Sequence, residues 1–499
     1  MNLSALRTPG VYIEEVSLLP PSVVGVETGI PAFVGYTERI VDPNGDNLIL
    51  KPIRITSLRE FEAIFGGPQK ENDGLKIRIE DTVEKFETNE ADEKFISRQI
   101  LTKVDPVSSI SKHILYYSMQ LYFSNGGGPC YIVTVGQYTA GELPLESKLT
   151  EGVNAIEQED EPTLIVVPEA ILLEDFTNGA VKVYEAALSQ AAKLQDRFVI
   201  MDVQQKLAGR SMATLSADIN ADAAAFRGFF NENAKYGAAY YPYLDTTIDF
   251  SYNADGVSIE HVRKSTKAGE TEPKPGKLNA KKLESDLKTS DNLLYNLLIS
   301  KLTTVPMKLP PSAAVAGIYA KTDAERGVWK APANVGVSSV IGPNIKIDDG
   351  LQAGLNIHDS GGKSINAIRS FSGRGTLVWG ARTLDGNSNE WRYINVRRFF
   401  NFVEESVKKA TFHFVFEPND ANTWVSVRAM IENFLTLQWR AGALQGAKPE
   451  QAFFVRVGLG QTMSVDDVLN GRLIVEIGMA VVRPAEFIIL RFSHKLPEA

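Results

Sequence analysis

The chain has 499 residues, 44% of them apolar and 23% charged, with 39 Gly and 24 Pro. This is ordinary globular composition, which excludes intrinsic disorder, collagen and coiled coil as descriptions of the whole chain and predicts two to four domains at roughly 100–200 residues each. The formal charge of −9 argues against general binding of nucleic acid or of an anionic membrane surface.

That charge is uneven. From Lys363 onward there are 17 Lys and Arg against 13 Asp and Glu, a balance of +4 that leaves −13 on the first 362 residues, so the C-terminal part is suited to an acidic partner. The single cysteine, Cys130, excludes an intrachain disulfide and a multi-cysteine zinc site and fits folding in a reducing cytoplasm. Met1–Gly10 lacks the basic start and apolar core of a secretory signal, and no run has the length of a membrane span. Export is therefore expected only as part of a larger particle.

In chain order, Pro9–Val16 reads as a short strand entered from a turn, and Leu18–Ser22, with Pro20 and Pro21, stops it. Val23–Val26 and Ala32–Tyr36 read as the first strands of a packed domain. Residues 51–112 turn polar and acidic with weak apolar periodicity and read as a surface insertion. A helix is expected at His113–Phe123, closed by Asn125–Gly128, then a strand at Cys130–Val135. Thr163–Val167 and Phe198–Val203 are apolar runs with a helical stretch, Ala180–Lys193, between them, a βαβ unit that predicts a parallel sheet flanked by helices. Tyr240–Pro242 and Ala313–Tyr319 are expected to add strands or edges. Between them, residues 263–288 are rich in Lys, Glu, Gly and Pro and read as a solvated loop.

Two long helices are predicted near the end. Tyr393–Thr411 carries Ile394, Phe399, Phe400, Val403 and Val407 at helical spacing. Ala421–Ala441 carries Trp424, Val427, Ile431, Phe434, Leu435 and Leu437, with Asp420 as N-cap and Gly442 as C-terminal stop. Ala452–Val457 and Leu473–Val482 read as strands. Pro484 precedes a last strand, Phe487–Phe492, with Ile488, Leu490 and Phe492 on alternate positions. The chain thus begins and ends on a strand set off by proline, and strands without local partners pair with another chain.

Motifs for chemistry are weak. Ile357–Ser364 has Ile357 where a phosphate-binding loop requires Gly. Asp359-Ser360-Gly361-Gly362 and Gly209-Arg-Ser211-Met-Ala213 resemble protease nucleophile loops, but a nucleophilic serine needs a histidine held by a carboxylate, and neither His113 nor His261 has such a context. His113, His261, His358, His413 and His494 are not spaced as metal ligands. Gly373–Trp379 lacks the third glycine of a dinucleotide fingerprint and reads as a strand. Glu404-Glu405 and Asp466-Asp467 are sequence neighbours that do not face each other on a helix. No catalytic, cofactor or metal site is expected.

Several segments, in order, resemble the contractile tail sheath family of phages, phage-tail-like bacteriocins and contractile injection systems. They are Ile394-Asn-Val-Arg-Arg-Phe-Phe400 with Glu404–Ser406, Val415–Asn419 with Thr423-Trp424, Gly442–Gly446, Ala452–Val455, Asn470–Leu473 and Arg483-Pro-Ala-Glu-Phe487. Upstream, Pro311–Gly317, Thr322–Asn334, Val378–Thr383, Pro9–Glu15 and Ala32–Gly35 continue the likeness, which omits 51–112 and 263–288. Front and back motifs on one chain resemble the single-polypeptide sheath.

The resemblance implies an α/β, mixed α+β, multidomain protomer. Its expected parts are an N-terminal arm (1–22), an N-terminal region (23–160), a central subtilisin-like α/β domain (161–365), a tube-facing C-terminal α+β domain (366–484) and a C-terminal arm (485–499). It implies a non-enzymatic subunit that forms stacked helical rings of identical copies around an inner tube protein, with baseplate and terminator or cap proteins as further partners. No cofactor, nucleic acid or inserted membrane segment is implied. Assembly is expected in the bacterial cytoplasm.

Val11, Tyr12, Ile13, Glu14, Glu15 and Val16 match the family's N-terminal arm, and Phe487, Ile488, Ile489, Leu490, Arg491 and Phe492 its C-terminal arm, each adding a strand to a neighbour. Arg428 and Glu432, at i and i+4 on one helix face, are candidates for the tube-facing surface; their plainer reading is a surface ion pair worth a few tenths of a kcal/mol. A non-contractile shell or tube protein and a serine hydrolase are the alternatives.

Overall fold

The computed structural model describes residues 22–71, 75–104, 111–139, 142–173, 179–205, 211, 213–228, 232–358 and 361–490. Two compact units divide them: Glu27–Asn401 with the segment from Arg483 onward, and residues 22–26 with Phe402–Val482.

The larger unit is built on a nine-stranded sheet. Its order is Val335–Gly336, Gly375–Trp379, Ile365–Phe371, Gly237–Tyr241, Phe198–Asp202, Leu164–Val166, Pro31–Thr37, Cys130–Gln137 and Ile53–Ile55. The six strands from Ile365–Phe371 to Cys130–Gln137 pair in parallel; the strands outside them are antiparallel. Parallel strands are buried on both faces and read as continuous apolar runs, as Leu164–Val166 and Phe198–Asp202 do, every residue being buried.

Alternate residues serve two cores. Val34, Ile165, Val199 and Met201 meet Leu149 and Val153, Val183 and Leu188, and Ile219 and Phe226 from the helices Glu146–Ala155, Val181–Leu194 and Leu215–Arg227. Phe33, Ile132, Val166 and Ile200 share the other core with Leu115, Tyr122, Ala313 and Ile318 from Leu115–Ser124 and Ser312–Arg326. The expected βαβ unit is present.

Some sequence expectations need correction. Ala313–Tyr319 is helical, part of Ser312–Arg326: a run buried all round has no amphipathic period, and its alanines favour a helix. Val23–Val26 forms no strand. The nine-stranded sheet takes strands from Pro31 through Trp379, on both sides of positions 160/161 and 365/366.

The expected insertion at 51–112 is not all surface. Ile53–Ile55 joins the main sheet, and Phe61 and Phe65 of the helix Leu58–Phe65 enter the core. Its remainder, Leu75–Val83 and Phe95–Val104, combines with the charged stretch to make a lobe. Ser258–Ser265 pairs in parallel with Lys76–Val83 residue by residue, and Phe95–Val104 pairs antiparallel on the other side. Leu75, Ile77 and Ile79 pack on Leu278, Leu283, Leu287, Leu294 and Leu298, so residues 263–288 are not simply a solvated loop.

In the smaller unit, the long helix Ile394–Thr411, which starts in the larger unit, runs on to the 3-10 turn Phe412–Phe414. The helix Ala421–Arg440 has Asp420 capping the backbone N–H groups of Asn422 and Thr423 at 3.0 Å each. Gly442 follows at φ +87°, the left-handed conformation that ends many helices. Phe453–Val457 and Val475–Met479 form a two-stranded antiparallel sheet.

Candidate assembly site

The functional candidates are the two terminal segments and the surfaces that could receive them. Val11–Val16 lies outside the described residues. Behind it, Val26 donates its backbone N–H to Ser406 Oγ at 3.1 Å, and a Cβ on Gly25 would stand 2.9 Å from the Phe402 ring. The exit of the N-terminal segment is thus packed against the last turns of the long helix.

The C-terminal segment leaves the smaller unit where Val482 donates to the Ala443 carbonyl at 3.1 Å. Four residues on, the Glu486 carboxylate is gripped within the larger unit. Arg382 donates through Nε to both carboxylate oxygens at 2.9 and 3.1 Å and through Nη2 at 2.7 Å. Asn356 Nδ2 donates at 2.7 Å and the Tyr393 hydroxyl at 3.2 Å. Burial alone would raise this carboxyl; the hydrogen bonds and charge of Arg382, with Asn356 and Tyr393, outweigh it and hold the group below its ordinary range.

Directly after this anchor, Phe487, Ile488, Ile489 and Leu490 are 67%, 78%, 79% and 71% exposed. Among the described residues they pair with no strand. Arg491 and Phe492 lie outside the described residues.

The two-stranded sheet is equally incomplete. Among the described residues each strand pairs on one side only, apart from contacts of Ala480–Val482 with Ala443–Gln445 beyond the strand end. Gly478 lies opposite Phe454, and a Cβ there would come within 2.2 Å of the Phe454 ring, so the ring lies across the bare backbone. Such a pair of strands is marginal alone, and open edges accept further strands.

Arg428 and Glu432 form an exposed ion pair, Nε to Oε1 2.7 Å, on the helix Ala421–Arg440. Ser211 is exposed and shares hydrogen bonds with Thr214 ahead of the helix Leu215–Arg227, the geometry of a turn residue. Ser360 lies outside the described residues. His113 is buried, its Nδ1 3.7 Å from Glu169 and its ring stacked on Tyr138. Ile357–Ser364 follows a helix and precedes a strand, the reverse of a phosphate-binding loop. Among the described residues no group of three His, Cys, Asp or Glu is placed to hold a metal, and no helix is long and apolar enough to cross a membrane.

Residues 146–384 match the phage tail sheath protein central domain and 387–495 the phage tail sheath C-terminal domain. A chain of the anti-feeding prophage (AFP) baseplate, solved with 6-fold symmetry, is 30% identical, with 98% of this chain and all of that chain covered at a TM-score of 0.60. The chain belongs to the phage tail sheath family. A chain of the AFP helical sheath in its contracted state is 30% identical over the same shares, TM-score 0.59. One from the contracted PVC sheath complex of an extracellular contractile injection system is 28% identical, with 98% of each chain covered at 0.61. The tail sheath protein of Vibrio phage KVP40 is 30% identical over 129 residues, 26% of this chain and 19% of that protein. The tail sheath protein of Enterobacteria phage T4 is 25% identical over 136 residues, 27% of this chain and 20% of that protein.

As a tail sheath protein the chain is a structural subunit of a contractile tail or injection system. No composition, periodicity or spacing signal marks Glu486, Arg382, Asn356 or Tyr393 in the sequence. Glu486 and Arg382 were nonetheless on view inside Arg483–Phe487 and Val378–Thr383, two of the segments that carry the family likeness.

Proposed function

We propose that this sheath protein polymerises as stacked helical rings around an inner tube and contracts to drive that tube through a target envelope. One observation carries the reading: among the described residues, a single chain has an anchored segment of four exposed apolar residues and a strand pair with open edges. Strand addition joins them between copies. Backbone hydrogen bonds contribute about 0.5–1.5 kcal/mol net apiece, and burying four large apolar side chains contributes roughly 6–12 kcal/mol before ordering costs. Val11–Val16 adds a second strand from another copy.

Exchanged arms make heterologous contacts that do not close, as a helical polymer requires. Contraction is a rigid-body repacking of subunits with the arms keeping them joined, driven by energy stored at assembly, without nucleotide. The central sheet corresponds to the subtilisin-like sheath domain without its chemistry. Arg428 and Glu432 face the tube. The subunit's partners are copies of itself, the tube protein, and baseplate and terminator or cap proteins; nucleic acid, cofactor and inserted membrane segment have no part in it. Assembly takes place in the bacterial cytoplasm, and the product belongs to a phage tail or phage-tail-like particle. The similar chains solved in helical sheath and baseplate assemblies support this reading.

Negative-stain electron microscopy of the purified chain, full-length and lacking residues 1–20 or 486–499, tests it. Wide hollow helical tubes that vanish when either arm is removed are expected. Monodisperse monomers of the full-length chain, with and without a tube template, would overturn it.

A further inference from the structure

We infer that Glu486 is the fixed point from which the C-terminal strand is exchanged, a latch that keeps every residue up to 486 on its own subunit and hands over the chain from Phe487 onward to a second copy. The inference rests on the strand-exchange reading above and adds to it where the exchange begins and about which point the subunits pivot.

Three observations carry it. First, among the described residues every hydrogen bond of Arg483–Leu490 is made by the Glu486 side chain; on either side of it the segment has none. Second, the socket residues are held by bonds of their own, independent of Glu486. The Arg382 backbone is locked to Asn366, whose amide oxygen accepts the Arg382 N–H and whose amide nitrogen donates to the Arg382 carbonyl, both at 2.8 Å. Arg382 also bridges Tyr393, and Ser364 Oγ donates to the Asn356 carbonyl at 2.6 Å. Third, the Arg382 side chain is only 4% exposed and the Glu486 side chain 20%. A buried guanidinium left without its carboxylate is strongly unfavourable, so this is unlike the exposed ion pairs that come and go at little cost.

The exposures change abruptly at the next residue, from an anchored side chain to four in a row that are at least two-thirds exposed. If Phe487 already pairs, the acceptor edge of the neighbour must begin within roughly 3–7 Å of the socket, one or two residues of chain. That distance must hold before and after contraction, which makes the socket the pivot about which subunits turn.

The test compares the full-length chain with Glu486→Ala and the shape-conserving Glu486→Gln. Tubes are counted against protein concentration by microscopy and light scattering, and folding is followed by thermal unfolding. Each chain also carries Phe487→Cys with a nitroxide label, whose mobility reports the anchor; the native Cys130 is buried and stays unlabelled. The expected result is a folded chain in all three cases with the unfolding midpoint lowered most in the Ala variant, where Arg382 loses its carboxylate, a label that becomes mobile in the Ala variant and partly so in the Gln variant, and at least a tenfold rise in the concentration needed for tubes. Tubes of Glu486→Ala at the wild-type concentration, or a label equally mobile in all three chains, would overturn the latch. A wild-type chain that forms no tubes would count against the sheath assembly reading, and the label would still decide the latch.

Discussion

Asp202, at the carboxyl end of the strand Phe198–Asp202, accepts the backbone N–H of Ser312 at 2.8 Å and so holds the first turn of the helix Ser312–Arg326 against the sheet. The carboxyl is fully buried, and that burial pushes it up to about 7, against the smaller opposing effect of the bonds from Ser312. A group raised on folding contributes stability below its unfolded value, 3.8 here, and loses it as pH rises through the folded value. Stability is therefore expected to fall from pH 4 to pH 8, by on the order of 4 kcal/mol from this group. Asp202→Asn keeps an acceptor for Ser312 and removes the titration, so its denaturation midpoint should be flatter across that range. A wild-type midpoint that does not fall toward pH 8, or an equal slope in the Asn variant, would refute the assignment.

The lobe offers the opposite sign. Asp81 points inward from Leu75–Val83, meeting Arg98 through two hydrogen bonds of 2.6 and 2.7 Å and His261 Nε2 at 3.0 Å. Burial opposes ionisation most strongly as a single effect, but Arg98 and His261 together outweigh it and hold the carboxyl well below the usual range. Arg98→Met leaves that charge buried without its main partner and is expected to destabilise the lobe by about 3 kcal/mol. Hydrogen exchange should show faster opening at Leu75–Val83 and Ser258–Ser265 and unchanged rates at Phe198–Asp202. Equal acceleration in the main sheet would contradict a separately packed lobe.

How much of this was legible differs by element. The parallel strands declare themselves because burial on both faces leaves unbroken apolar runs, and the two long helices because their apolar residues repeat with the helical period. The lobe was hidden: Leu75, Ile77, Ile79 and Val83 alternate as a strand should, but the partner Ser258–Ser265 lies some 180 residues away, and no local pattern encodes that distance. In Ile394–Phe400, Asn395, Arg397 and Arg398 are buried. Arg398 pairs with Asp323, Asn395 donates to the Trp329 carbonyl and Arg397 lies 4.3 Å from the Trp391 ring centroid. Polar residues turned inward break the amphipathic code, so the apolar spacing marks the helix there but not the burial of these three residues. Glu486 escaped because its partners, Asn356 at the end of the helix Asp349–Asn356 and the bridged pair Arg382 and Tyr393, lie 93 to 130 residues away in the sequence.

Gly478 tests the unfinished sheet. Because a Cβ there would meet the Phe454 ring, Gly478→Val must push the ring aside, at a cost of about 1–3 kcal/mol. The helix Ala421–Arg440 and its core of Val427, Ile431 and Phe434 should survive, so circular dichroism should change little while tube formation is lost. Tubes of normal yield from this variant would show that the face across the two strands is not used in assembly.

Arg428 and Glu432 separate a stabilising pair from a contact surface. Their side chains are 49% and 38% exposed, and an exposed i,i+4 pair contributes only about 0.3–0.5 kcal/mol. Arg428→Ala and Glu432→Ala should thus leave the unfolding midpoint within a degree or two of wild type and leave tube-free polymers unaltered. If the pair faces the inner tube, the same substitutions should reduce co-sedimentation of the sheath protein with pre-assembled tube, and more so at low salt, where screening is weakest. Undiminished co-sedimentation of both variants at low salt would assign the pair to the helix surface alone and would direct the search for the tube contact to other residues of the +4 segment.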